Sequence, residues 1–162
     1  PNELPPEKER RTALVHLLPK ADQQRFLSER AIEIRPIDAP PPPTHEPCEP
    51  VRRYWARTLK PFPAVFTEHD CVLAYASDMT IAETALAPHG QTWYSDEIVT
   101  ASLDHSMWFH RDFRADEWLL FDQWAPSAMG GRGLNFGNIF TEDGRLVASM
   151  TQEGMIRRRG DA

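Results

Sequence analysis

Glu68-His69-Asp70-Cys71-Val72-Leu73-Ala74-Tyr75-Ala76-Ser77-Asp78-Met79-Thr80-Ile81-Ala82-Glu83-Thr84-Ala85-Leu86 runs without a proline or glycine and repeats apolar residues at intervals of three and four. That spacing predicts one long helix over 68–86, because such residues fall on one side of a 3.6-residue turn. Val72, Tyr75, Met79 and Ala82 share the predicted apolar face, with Leu73, Ala76 and Thr80 flanking it. The small Ala and Ser residues permit close packing. Pro88-His89-Gly90 then supplies a stop signal.

After Gly90 the signals change to strands. Residues 98–110, 117–124, 134–140 and 145–157 are rich in strand formers, and Asp143-Gly144 marks a hairpin between the last two. Upstream, residues 31–37 alternate apolar and charged side chains, and residues 51–59 read as a second strand ended by Pro61 and Pro63. The order is strand, strand, helix, antiparallel meander. One apolar helix against a curved antiparallel sheet is the economical α+β solution.

Residues 1–10 are expected to fray, and residues 12–30 to form one or two short helices interrupted at Pro19. Residues 1–30 are therefore read as a linker or helical segment, and residues 31–162 as one globular domain. Within it, residues 36–50 form a proline-rich connector whose Pro40-Pro41-Pro42-Pro43 run favours an extended, semi-rigid chain.

A chain of 162 residues suits one domain, and 41% hydrophobic content suits a packed core. The net charge of -6 argues against nucleic acid as a partner. It would also repel a phosphate-bearing ligand, so such a ligand needs a local basic patch. Arg132 and the run Arg157-Arg158-Arg159 are the candidates, and a solvated tail is the plainer reading of the run. Cys48 and Cys71 make no disulfide framework, which fits a reducing, cytoplasmic setting. No apolar run has the length of a membrane span and no signal peptide is evident. The chain opens at Pro1 without an initiator Met, which fits a fragment or a processed product.

Several residues invite a chemical reading. Asp78 lies among helix neighbours that look buried, where a carboxylate needs a partner; a solvent-facing helix position is the competing reading. Asp104-His105 suggests a dyad, yet neighbours on a strand point to opposite faces, so anchoring of turns or backbone is favoured. His89, His105 and His110 lack metal-ligand spacing, and neither cysteine joins them, so no metal or cofactor is expected. Gly130-Gly131-Arg132-Gly133 matches no phosphate or dinucleotide loop and reads as a bend. No Gly-x-Ser-x-Gly elbow is present. Gln152 shares a strand face with Leu146, Ala148 and Met150, so its amide points to the apolar side and requires partners.

Taken in order, these pieces resemble a known family. The match runs through Tyr75-Ala76-Ser77-Asp78, Pro88-His89-Gly90 and Ser102-Leu103-Asp104-His105-Ser106-Met107-Trp108-Phe109-His110-Arg111. It continues with Glu117-Trp118-Leu119-Leu120, Ser127-Ala128, Gly131-Arg132-Gly133 and Asp143-Gly144-Arg145-Leu146-Val147-Ala148-Ser149, and ends at Gln152-Glu153-Gly154. The ordered set resembles the acyl-CoA thioesterase II family and covers nearly all of residues 71–157.

The resemblance implies a hotdog fold, an antiparallel curved sheet wrapped around one long helix, and specifically the second half of a double hotdog. It implies hydrolysis of fatty acyl-CoA by a water held between three residues, which fall here on Asp78, Ser102 and Gln152. Asp78 would be the general base, while Ser102 and Gln152 would orient the water. No covalent intermediate is implied. Hotdog halves pair, so the partner expected is a second copy of the chain or a separate N-terminal hotdog half. Asp112 stands where the family usually has Pro, and Ala125-Pro126-Ser127 replaces a more hydroxyl-rich stretch. Two alternatives accompany this reading. One is a non-catalytic half that binds acyl groups or dimerises. The other is a hotdog dehydratase, for which His89 is the candidate histidine.

Overall fold

The computed structural model describes residues 1–38, 46–61 and 66–160, apart from the side chain of Phe66. The Pro40-Pro41-Pro42-Pro43 run of the expected connector lies outside the described residues.

Two short helices, α1 (Glu7–Leu14) and α2 (Lys20–Leu27), precede the sheet. The helix α1 begins ahead of Thr12, and residues expected to fray are tied down instead. Glu7 and Arg11 are buried. Glu7 Oε2 accepts a hydrogen bond from the Ile34 backbone N–H at 3.0 Å, and Arg35 Nη1 donates to the carbonyls of Pro1 and Leu4. A buried carboxylate that receives an N–H and stands beside Arg30 and Arg11 recovers part of its lost hydration.

The strands are β1 (Ile32–Pro36), β2 (Val51–Thr58), β3 (Ile98–Ser102), β4 (Ser106–Phe109), β5 (Leu119–Met129), β6 (Arg132–Thr141) and β7 (Leu146–Arg158). Among the described residues they form one antiparallel sheet in the order β1-β2-β5-β6-β7-β3, with β4 also on β7. The single strand expected over 98–110 is thus two, both paired to β7. The break falls at 103–105, where the Leu103 N–H donates to the Glu153 carbonyl at 2.9 Å and Asp104 accepts from the Glu153 N–H. Turns at Gly130-Gly131 and Gly144 join the long strands, each with glycine at positive φ. The ladder slips between Trp124 and Ser127, where Pro126 has no N–H to give.

The predicted long helix is α3 (Phe66–Asp78), followed by a 3-10 segment at Ile81–His89 rather than by more α-helix. Its buried stripe also differs from the expected one. His69, Leu73, Ala76 and Ser77 face the sheet, whereas Tyr75 is 66% exposed. Leu73 and Ala76 join Ile34, Tyr54, Phe121, Ile139, Ala148 and Met150 in the core. Polar groups also share this interface. The Ala115 N–H donates to His69 Nδ1 at 3.1 Å, so a polar side chain occupies a place where apolar counting expects a hydrophobe.

The 3-10 segment lies close against the sheet. A Cβ on Gly133 would come 2.5 Å from Ala85 Cβ and 2.7 Å from Ile156 Cδ1, so only glycine admits this approach. Asn135, fully buried, accepts from the Ala85 N–H at 3.0 Å and donates to the Gly133 and Gln152 carbonyls. Such a side chain replaces the ladder partner that a helical backbone group lacks.

Candidate active site

Two of the three residues singled out from the family resemblance touch. Gln152 Nε2 donates to Ser102 Oγ at 2.8 Å. Strand pairing sets this up: Ser102 lies opposite Gly154 across the β3–β7 ladder, so Gln152 reaches it diagonally on one face. Gln152 is fully buried, as its even spacing from Ala148 and Met150 predicts.

The other half of the amide meets a residue that the sequence reading set aside. His105 Nδ1 lies 2.5 Å from Gln152 Oε1, and His105 Nε2 lies 2.9 Å from Ser77 Oγ. A carboxamide oxygen can only accept, so the proton sits on Nδ1. Ser77 is fully buried, with its hydroxyl also 2.8 Å from the Ala74 carbonyl and 3.1 Å from Met107 Sδ. His105 therefore joins the C-terminal turn of α3 to β7. Asp104 does something different: its carboxylate accepts from the Glu153 N–H at 2.8 Å and anchors the strand break. The neighbours do not act on each other, but only Asp104 has the backbone role expected for both.

Asp78 ends α3, one residue beyond Ser77, and its side chain is exposed. Among the described residues no hydrogen bond joins its carboxylate to Ser102 or Gln152; what connects this end of α3 to the pair is the preceding Ser77, through His105. The arrangement supplies an accessible carboxylate, a serine hydroxyl that receives an N–H and keeps its own proton to offer, and an amide held at both ends.

Beyond the pair, a second buried polar cluster steadies the 3-10 segment. Gln123 Nε2 donates to Tyr54 Oη at 3.1 Å, Thr80 Oγ1 donates to Tyr54 Oη at 2.7 Å, and Thr84 Oγ1 donates to Gln123 Oε1 at 3.3 Å. Burial pushes the Tyr54 phenol well above its ordinary value and outweighs the hydrogen bonds from Thr80 and Gln123. Arg52 pairs with Glu83 nearby, and burial lowers its guanidinium from the usual range.

His89 lies away from this site, in a cavity at the end of the sheet. Among the described residues no group of three or more His, Cys, Asp or Glu is placed to hold a metal ion. No helix among them is long and apolar enough to cross a membrane.

Residues 22–155 match the acyl-CoA thioesterase family. Over 130 residues the chain is 41% identical to human acyl-coenzyme A thioesterase 8, a match that covers 80% of this chain and 40% of that protein. Among solved structures it resembles acyl-CoA thioesterase II TesB2 from Mycobacterium marinum, with TM-score 0.69 and 39% identity over 90% of this chain and 54% of that one. A hot dog fold protein of unknown function from Alicyclobacillus acidocaldarius matches with TM-score 0.66 at 18% identity, over 97% of this chain and 52% of that one, a likeness of fold alone. The architecture is that of a hotdog half, and the chain spans about half the length of these relatives or less.

Proposed function

The chain belongs to the acyl-CoA thioesterase family, and from that membership we propose that its site hydrolyses fatty acyl-CoA to free fatty acid and coenzyme A. Water attacks the thioester carbonyl carbon. Asp78 takes a proton from the attacking water, and Ser102 and Gln152 orient that water by hydrogen bonds. The tetrahedral intermediate collapses with loss of the C–S bond, and the proton passes to the departing thiolate. No covalent enzyme intermediate is required, because a thioester carbonyl is already activated.

The observation that carries this reading is the Gln152 amide held between Ser102 and His105 at 2.8 and 2.5 Å. A buried amide fixed at both ends is pre-oriented, which is what positioning a small nucleophile demands. The test is thiol release from a fatty acyl-CoA. Asp78→Asn is expected to lower kcat by about 10²–10⁴-fold. Its thermal midpoint should stay close to the parent's, because the side chain is exposed. A variant as active as the parent removes Asp78 from the mechanism.

Pairing belongs to the same proposal. The relatives are about twice as long as this chain, and the β3–β4 flank exposes Val99, Leu103, Trp108 and Phe109. Side chains of that kind on a sheet edge favour burial against another surface. The occupant inferred is a second hotdog half, supplied by another copy or by a separate N-terminal half. Light scattering on the purified chain, run beside the activity assay, tests it. A fully active monomer overturns the pairing, and a folded pair without activity favours the non-catalytic alternative. The exposed free thiols of Cys48 and Cys71 suit a reducing, cytoplasmic setting.

A further inference from the structure

At the C-terminal end of β7 a cavity of about 290 Å³ opens between the 3-10 segment, the β5–β6 turn and the start of β3. Leu86, Ile98 and Ile156 give it an apolar floor, and Arg132, Arg157 and Arg158 line its rim. Glu97 also lines it, so three guanidiniums face one carboxylate in a chain whose net charge is -6. Arg132 is paired with Glu153 at 3.3 Å. Among the described residues Arg157 and Arg158 have no carboxylate partner.

We propose that this cavity holds the 3′,5′-ADP end of coenzyme A, an inference that rests on the acyl-CoA reading above. Geometry supports it first. Gln152 and Arg158 are an even number of residues apart on β7 and so share a face, about 20 Å apart at 3.3 Å per residue. From the sulfur of coenzyme A to its first phosphate runs a chain of about thirteen bonds. At roughly 1.2 Å per bond, the advance of an extended chain, it spans about 15 Å. The pyrophosphate and the ribose 3′-phosphate lie beyond that point, where Arg158 stands on the Gln152 face and Arg157, its strand neighbour, lines the cavity from the side of the Gly130-Gly131 turn. β3 runs alongside in register, with Ser102 opposite Gly154 at one end and Ile98 opposite Arg158 at the other.

Preorganisation supports it second. The Ile156 N–H donates to the Gly131 carbonyl at 2.8 Å. A Cβ on Gly131 would meet the Arg157 side chain at 3.8 Å, so the turn packs along the arginine stem. A guanidinium whose stem is already placed binds phosphate with less loss of freedom, and its planar fork suits two phosphate oxygens. The apolar floor offers a surface for a flat base. A second cavity beside the N-terminal helices also holds arginines, but there Glu7 pairs with Arg30 and Glu83 with Arg52, which leaves Arg10 as the one lining guanidinium outside an ion pair among the described residues.

The experiment measures 3′,5′-ADP binding to the full chain by calorimetry at low salt. It compares the parent, the double variant Arg157→Ala with Arg158→Ala, and Arg145→Ala in the exposed turn at the other end of β7. The double variant should bind at least tenfold more weakly and Arg145→Ala like the parent, with binding that weakens as salt rises. In kinetics, the ratio of kcat/KM for an acyl-CoA to that for the matching acyl-N-acetylcysteamine should fall at least tenfold in the double variant. Parent binding of 3′,5′-ADP no tighter than that of inorganic phosphate overturns the proposal, and so does an unchanged affinity in the double variant. If neither thioester is cleaved by the parent, the acyl-CoA reading fails, while the calorimetry still decides the cavity.

Discussion

His105 Nδ1 stands 2.5 Å from Oε1 of Gln152, and this contact determines which way the amide faces. With its oxygen committed to the imidazole, the amide has its NH₂ left for Ser102. In the proposed reaction His105 is thus a positioning residue acting through Gln152. His105→Phe should lower kcat by about 10–100-fold, the equivalent of one or two hydrogen bonds, with little change in KM. Steady-state kinetics check this. A rise in KM at constant kcat would instead mean that His105 serves binding alone.

Gln152→Ala removes both of those bonds and leaves Ser102 and His105 without their shared partner. The expected destabilisation is about 1–3 kcal/mol, read from urea unfolding. Gln152→Glu keeps the shape but replaces the NH₂ donor with an acceptor. It should recover more of the stability than of the activity, and equal recovery of both would deny the amide an orienting role.

Gly133→Ala places a methyl group 2.5 Å from Ala85 Cβ. Overpacking of that kind costs about 1–3 kcal/mol, visible as a lowered thermal midpoint. Combined with Ala85→Gly, part of the loss should return. A double-mutant cycle measures the coupling, and additive losses would show that the two sites do not meet.

Tyr54 provides a pH test. Its folded value lies above the ordinary value near 10, because burial disfavours the phenolate. The folded state therefore holds the proton longer than the unfolded chain does. The sign follows: this contribution to stability is fully present below about pH 10 and is lost as pH rises above it. Tyr54→Phe should cost stability at neutral pH, since contacts to Thr80 and Gln123 disappear. The two urea midpoints should then converge above pH 10, whereas parallel curves would mean that Tyr54 does not titrate on unfolding.

The β5–β6–β7 meander, the Asp143-Gly144 hairpin and the inward face of Gln152 were legible in the sequence because each depends on local backbone geometry, whereas the pairing of β3 and β4 with β7 rather than β5 is a long-range contact that no local signal carries. The buried side of α3 was not. Apolar counting assigned Tyr75 to the core and passed over His69 and Ser77, yet the latter two are buried by partners distant in sequence, Ala115 and His105. The break in the helix after Asp78 escaped notice for the same reason. Asn135 compensates the loss of regular helix by accepting the Ala85 N–H, and Thr80 ties the segment to Tyr54, through side-chain bonds that no periodicity encodes. Nothing around His105 in the chain signals its role, because its neighbour Asp104 does not bond it and its partner Gln152 lies 47 residues further on.

The Glu7 carboxylate at the Ile34 N–H has a bearing on how many molecules can join. That N–H points away from β2, where an incoming strand would need it, and an internal side chain already occupies it. One flank of the ribbon is therefore plugged. Two such ribbons meeting at their open flanks would present plugged ends outward, so growth would terminate at a closed pair rather than run on into a filament.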